Sequence, residues 1–400
     1  MESKRVPEVR FEGFSEEWEQ CKWSETVDIS TNMVDPKTGK FDELPHIGPG
    51  NIESFSGRIL NNVNNVKEDN LISGKFHFNA GDIIYGKINP QLGKYAMPSF
   101  NGLASADAYV LKAREGISQS FLFVILQGKD FYKYSVSVSM RTGMPKINRD
   151  ELNQYSYLVP SKKEQTQIGN FFKQLDETIA LHQQELDTLK QTKQGFLQKM
   201  FPKEGETVPE VRFPGFSGEW DERKLGDIGA VAMCKRIFKD QTSSNGDIPF
   251  FKIGTFGRKA DSFISHKLFE EYRRKYPFPE IGDILISASG TIGRTVIYNG
   301  EEAYFQDSNI VWLKINKDRV LNSFLQQFYQ IVKWSGTEGS TIKRLYNSKI
   351  LNTEIHLPSI EEQTQIGNFF KQLDDTIALQ QKELDALKET KKAFLQKMFI

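Results

Sequence analysis

Glu164-Gln-Thr-Gln-Ile-Gly-Asn-Phe-Phe-Lys-Gln-Leu-Asp176 recurs letter for letter from Glu362 to Asp374. The match extends outward: between residues 164–201 and 362–399, 31 of 38 positions are identical. A second block, Val6-Pro-Glu-Val-Arg-Phe-Glu-Gly-Phe-Ser-Glu-Glu-Trp18, returns as Val208-Pro-Glu-Val-Arg-Phe-Pro-Gly-Phe-Ser-Gly-Glu-Trp220. The stretches between, roughly 20–160 and 222–358, match poorly beyond a shared Gly-Asp-Ile (Gly81-Asp82-Ile83, Gly282-Asp283-Ile284) and a closing Pro-Ser. Two copies drifting freely cannot keep some blocks nearly identical while scrambling others. The repeated blocks therefore answer to one requirement and the variable segments to two different ones.

Between Lys163 and Pro202 the first repeated block holds no proline, and its apolar residues step by alternating fours and threes. The stripe reads Ile168, Phe172, Leu175, Ile179, His182, Leu186 and Leu189, continuing through Lys193, Phe196 and Met200. Its copy reads Ile366, Phe370, Leu373, Ile377, Gln380, Leu384 and Leu387, continuing through Lys391, Phe394 and Met398. These are a and d positions of a left-handed coiled coil. Each helix would be about 57 Å long at ~1.5 Å per residue, so it needs a partner, and its own copy is the nearest. An antiparallel pair keeps the two variable segments at opposite ends, whereas a parallel pair crowds them at one. The polar breaks His182 and Gln380 sit at mid-helix, where antiparallel copies meet, and a buried polar pair there fixes register. A block with no helix before it opens the chain, and a helix with no block after it closes the chain. The repeat is thus circular, and the first block should pack where the second helix ends.

Both variable segments read as short strands punctuated by Gly and Asn, with one helix each. Expected strands cover 82–85, 108–112, 250–253, 283–287, 295–298 and 310–315, and expected helices 120–128 and 321–334. Two loop pairs stand out. The first is basic, Arg141-Thr142-Gly-Met-Pro-Lys146-Ile-Asn-Arg149 against Ser340-Thr341-Ile-Lys343-Arg344-Leu-Tyr346, with Lys146 in register with Arg344. Small hydroxyls next to cationic heads suit phosphate contacts. The second pair follows the Gly-Asp-Ile strands: Lys87-Ile-Asn89-Pro-Gln91-Leu-Gly-Lys94 against Ser287-Ala-Ser289-Gly-Thr291-Ile-Gly-Arg294. Side chains of these types can reach base edges. An ordinary solvated hairpin would show many of the same residue types.

Four hundred residues imply two or three domains. The 52 Lys plus Arg cancel the 52 Asp plus Glu, which excludes a polybasic nucleic-acid glue, and the 38% hydrophobic content excludes wholesale disorder. Apolar runs fall short of the ~18 residues of a membrane span, and Met1-Glu2-Ser3-Lys4-Arg5 lacks the apolar core of a secretory signal. Two isolated cysteines, Cys21 and Cys234, suggest a reducing compartment. There is no phosphate-binding Gly-Lys-Ser/Thr loop, no Gly-x-Gly cofactor turn after a strand, and no Asn-Pro-Pro-aromatic sequence, since Asn89-Pro90 runs into Gln91. Glu222-Arg-Lys224 has a nuclease-like spacing, but its copy is Gln20-Cys-Lys22. The histidines lie singly, which predicts no metal site, and no catalytic residues are expected.

This layout, the Val-Pro-x-x-Arg-Phe-x-Gly-Phe-x-x-x-Trp blocks, the Pro-Ser-x-x-Glu-Gln-x-x-Ile helix starts and the Gly282-Asp-Ile-Leu-Ile-Ser-Ala-Ser-Gly-Thr-Ile-Gly-Arg294 stretch resemble the specificity subunit of type I restriction–modification systems. The resemblance spans essentially the full chain. Only the first segment departs from it, with Lys87-Ile-Asn-Pro-Gln in place of Ser-Gly-Thr-Ile-Gly. It implies an α+β protein: two mixed α/β target-recognition domains separated by a long antiparallel coiled coil, pseudo-two-fold and circularly organised. The expected parts are a block at 1–19, recognition domain one at 20–160 and a helix at 161–201. A linker with the second block at 202–221, recognition domain two at 222–358 and the closing helix at 359–400 follow. Each recognition domain would read one half of a split double-stranded DNA site, with the helices setting the spacing and docking two methyltransferase subunits, and through them the restriction motor–nuclease subunits. S-adenosylmethionine, ATP and Mg would belong to those partners and no cofactor to this chain, which would be non-catalytic, cytoplasmic and present in one copy per complex. A self-sufficient DNA enzyme, against which the missing cofactor loop argues, and a coiled-coil scaffold whose globular ends bind proteins are the alternatives from the residues alone.

Overall fold

The computed structural model describes residues 6–140, 143–334 and 344–399. The chain divides into two compact units, residues 1–185 with 380–400 and residues 186–379. The division runs through each long helix rather than at its ends, because each half-helix buries its stripe within its own unit.

The first unit is built on a four-stranded antiparallel sheet in the order Val27–Ile29, Ala108–Ala113, Ile83–Gly86, Tyr95–Ala96. The sheet is covered on both faces, and alternate residues separate cleanly. Ile83, Tyr85, Tyr109 and Leu111 pack with Phe121, Leu122 and Phe131 of the helices, while Ile84, Val110 and Ala96 pack with Ile47, Phe78 and Ala104 of a second small sheet. That is why Ile83-Ile-Tyr-Gly86 reads as an unbroken apolar run rather than an alternating one. The second unit repeats the plan with different residues: Gly229–Ala232, Ile310–Ile315, Ile284–Ser287, Thr295–Ile297. Ile284, Ile286, Val311 and Leu313 face the helices, and Leu285, Ile310 and Trp312 face Ile248, Phe250 and Tyr304.

The structure differs from the sequence reading in several places, and the second unit carries a further helix, His266–Lys275, whose Phe269 is buried. The helix Gln119–Gln127 is followed directly by another, Lys129–Ser139, for which the second unit shows no match after Asn322–Ile331 among its described residues. The strand expected at 250–253 lies at Ile248–Phe251, because Ile248 pairs with Ile264 while Ile253 turns away to take Oε1 of Gln306 on its N–H.

The long helices span Lys162–Lys199 and Ile360–Lys397. Along their stripes Ile168, Phe172, Leu186, Ile366, Phe370 and Leu384 are buried, and Leu175, Ile179, His182, Leu189, Leu373, Ile377, Gln380 and Leu387 are half-buried. Burying a phenylalanine such as Phe172 or Phe370 contributes about 1.5–3 kcal/mol. Pairing is antiparallel. In the first unit Lys391 Nζ meets Asp176 at 2.5 Å and Phe394 stands on Phe171; in the second Lys193 Nζ meets Asp374 at 2.6 Å and Phe196 stands on Phe369. Gln380 Nε2 lies 2.8 Å from His182 Nδ1 and donates to Glu185 Oε2 at 2.9 Å.

The repeated blocks close the helix ends. Val9 N–H donates to the Lys397 carbonyl and Val211 N–H to the Lys199 carbonyl, both at 2.9 Å, satisfying acceptors that a helix C-terminus leaves open. Trp18 packs on Phe399 and Phe121, and Trp220 on Phe201 and Phe324. The circular order is thus realised within the first unit, where the opening block seals the closing helix. No helix among the described residues is long and apolar enough to cross a membrane.

Candidate nucleic-acid interface

The helix-start sequence Pro-Ser-x-x-Glu-Gln-x-x-Ile-Gly sets the platform. Glu164, 1% exposed at its side chain, takes a two-point ion pair from Arg10 at 2.7 and 2.8 Å. Glu362 takes the same from Arg212 at 2.6 and 2.7 Å. Gln165 Oε1 accepts from Ser118 N–H and its amide donates to the Pro160 and Gly116 carbonyls; Gln363 does so with Leu321, Pro358 and Arg319. Gly169 and Gly367 let the sheet-packing helix approach: a Cβ there would stand 2.1 Å from Ser120 Oγ and 2.5 Å from Ser323 Oγ. The Gln and Gly of the repeated motif thus fix a variable unit on its long helix, and the Glu fixes the repeated block beside it.

On that platform the two candidate loop pairs come together in each unit. In the first, Lys87 N–H donates to the Asp107 carbonyl, Ile147 N–H to the Lys87 carbonyl and Asn89 N–H to the Pro145 carbonyl, around an antiparallel bridge between Ile88 and Lys146. In the second, Ala288 N–H donates to Asn309, Leu345 N–H to Ala288, and the bridge joins Ser289 to Arg344. The backbone seat is the same, and the side chains on it differ.

In the first unit Tyr109, 5% exposed, has Lys87 Nζ at 5.1 Å and the Arg149 guanidinium at 5.5 Å over its ring, and its hydroxyl donates to the Ile147 carbonyl at 3.2 Å. Burial pushes the Lys87 pKa down, Lys146 pushes it further, and Asp107 opposes them. Arg149 donates to the Ile29 and Ser30 carbonyls, and Lys94 Nζ to the Ile52 carbonyl, so both brace the fold. Asn89 adopts the left-handed backbone (φ 50°) that turns the chain into Pro90–Leu92, and Gln91 Nε2 donates to Asn89 Oδ1. Lys146 is exposed. In the second unit Ser289 Oγ donates to Asn309 Oδ1 at 2.8 Å, Arg294 to the Phe256 carbonyl, and Arg344 to the Ser308 carbonyl while lying 5.9 Å over the ring of Tyr346. Tyr346 is 60% exposed and Thr291 is exposed. Arg141, Thr142, Ser340, Thr341 and Lys343 lie outside the described residues.

Sequence reading missed Tyr109 and Asn309, because a strand tyrosine and a turn asparagine carry no local signal until the sheet brings them to the loops. A separate cleft of about 960 Å³ in the first unit, walled by Tyr85, Tyr95, Phe131 and Tyr132, has Lys94 alone of the candidates on its wall. His266, Glu270 and Glu302, all exposed, place ligand atoms within 4.8 Å of one another, a grouping that single-histidine spacing does not reveal. Exposed trios of this kind arise without an ion, and Glu270 also faces Arg273 at 3.8 Å.

Residues 15–191 and 217–389 match the family described as Type I restriction modification DNA specificity domain. The chain belongs to that family. A Haemophilus influenzae protein named as type I restriction enzyme specificity subunit S.HindORF215P is 36% identical over 371 residues, covering 90% of this chain and 88% of its own. The EcoDI specificity subunit of Escherichia coli is 28% identical over 233 residues, 57% of this chain and 50% of its own. The fold is that of the type I restriction–modification S subunit from M. genitalium, with a TM-score of 0.66 at 14% identity over 99% of both chains. The doubled match leaves the start of each repeated block outside it, and each matched segment joins one variable unit to most of one long helix. In this specificity subunit the paired loops occupy corresponding places in the two halves.

Proposed function

We propose that each unit reads one half of a split double-stranded DNA site through its paired loops, with bases in between left unread. The observation that carries this is the duplicated seat: Ile88–Lys146 in one unit and Ser289–Arg344 in the other present unlike side chains from like backbone. Two unlike readers on one chain give an asymmetric bipartite site, as half-site spacing follows protein geometry elsewhere. Two methyltransferase subunits would dock on the long helices. Leu181 and Leu379, at matching positions off the buried stripe and 55% and 58% exposed, support two like contacts. The motor–nuclease subunits would join through them, and S-adenosylmethionine, ATP and Mg would be held by those partners, this chain supplying recognition and no chemistry. One copy per complex follows from a chain that already holds both readers, and the complex would act in the cytoplasm.

Being neutral overall, the chain alone should bind DNA weakly and with strong salt dependence. The deciding test is methylation mapping after coexpression with a cognate methyltransferase subunit, with and without this chain. Methylated adenines at one split motif, lost without the chain and altered in one half by exchanging residues 20–160, are the expected result. Methylation indifferent to the chain would instead favour a protein-binding scaffold.

A further inference from the structure

The shared seat keeps a cation at one position, Lys146 matching Arg344, and differs at its neighbours. Lys87 of the first corresponds to Ala288 of the second, Arg149 to Asn347, and Tyr109 to Val311, as the matching strand pairs and bridges show. Lys87 has neither hydrogen bond nor ion pair for its Nζ among the described residues; the Tyr109 ring face is its contact. The fold holds this ammonium half-buried, on a strand end laced to the segment that carries exposed Lys146, with Arg149 over the same ring. Keeping like charges together without an anion costs stability, and such arrangements are found where an anion arrives from outside. The nearby carboxylates Asp107 and Asp150 influence Lys87 and Tyr109 through space, yet neither pairs with the ammonium. At the same seat the second unit presents Ser289 joined to Asn309, beside Arg344, whose guanidinium donates to the Ser308 carbonyl.

We propose that Lys87 and Lys146 form a seat for one DNA backbone phosphate in the first unit, that Tyr109 is the positioning residue for Lys87, and that the second unit keeps at this seat only the counterpart of Lys146, Arg344. This rests on the reading that both units contact DNA. A phosphate contact fixes register and carries no base information, so it should change affinity and salt response but not sequence preference.

The test uses the complex with its methyltransferase partner on DNA carrying its methylation motif, with binding measured across salt concentrations. Lys87→Met should reduce the slope of log affinity against log salt by about one and weaken binding about 5–10-fold near ~0.1 M salt. The methylated motif should stay unchanged, and the variant should melt above the parent because a like-charge conflict is gone. Tyr109→Phe, which keeps the ring, should retain the parent's salt slope, whereas Tyr109→Leu should lower it. An unchanged slope in Lys87→Met, a changed base preference in the first half-site, or a melting temperature below the parent's would each overturn the proposal. A parent complex that binds without any motif preference would instead sink the underlying reading.

Discussion

Arg10–Glu164 in the first unit and Arg212–Glu362 in the second are one contact made twice, whereas Lys87 and Ala288 share a backbone seat and nothing chemically. The ion pairs are buried and join segments about 150 residues apart, so each partner is tied to a fixed geometry. The bridge between the loops is held in both units by main-chain hydrogen bonds, which any residue can make, although the side chains around it differ. Change is cheap where the backbone does the holding and costly where a side chain does. This difference explains how one chain keeps a common frame while its two reading faces diverge.

The comparison breaks most visibly at the buried ion pairs. Arg212→Ala leaves the Glu362 carboxylate buried without its cation and should cost about 3–5 kcal/mol in denaturant unfolding. Arg10→Ala should cost the same within about 1 kcal/mol, if the repeat holds at this position. A large asymmetry would show that the frame is duplicated in sequence and not in energy.

A smaller effect sharpens it in the coiled coil. Lys391→Met removes the partner of Asp176, whose carboxyl burial holds above the usual range. The loss should reach about 3 kcal/mol at neutral pH. A raised carboxyl pKa means stability that is present at low pH and lost as pH rises, so the deficit should shrink as the pH is lowered toward about 4. Lys193→Met should cost less, because Asp374 is 35% exposed against 24% for Asp176. Equal costs and no pH trend in thermal melts would contradict this account.

Smallest are the glycines. Gly169→Ala and Gly367→Ala should each destabilise by about 1–3 kcal/mol through overpacking, and Ser120→Gly should recover part of the first loss alone. Recovery in both would mean that the two contacts are not independent.

The long helices were legible because a stripe of fours and threes has one explanation, and the circular order because a block without a helix and a helix without a block must find each other. Six of the nineteen strands among the described residues were legible as apolar runs. The shared topology of the two variable units was not: Ile83-Ile-Tyr-Gly and Ile284-Leu-Ile-Ser match in little beyond pattern, and a sheet buried on both faces accepts any residues of suitable size. The helix Lys129–Ser139 escaped because Gly128 reads as a stop, although the chain there turns and starts again. Among candidate site residues, Lys94, Arg149 and Arg294 looked equivalent to Lys87 and Lys146 by type, and only the fold gave the first three carbonyl partners of their own.

The sequence by itself determined the repeat, the antiparallel helix pair, the order of the parts and the loops that correspond between the two halves, since all of these follow from periodicity and self-similarity along the chain. Which cations were left without a partner, and which ring or amide stood beside them, depended on contacts between residues tens of positions apart. Periodicity cannot report such contacts, because they are set by how the strands stack and not by what any one strand contains.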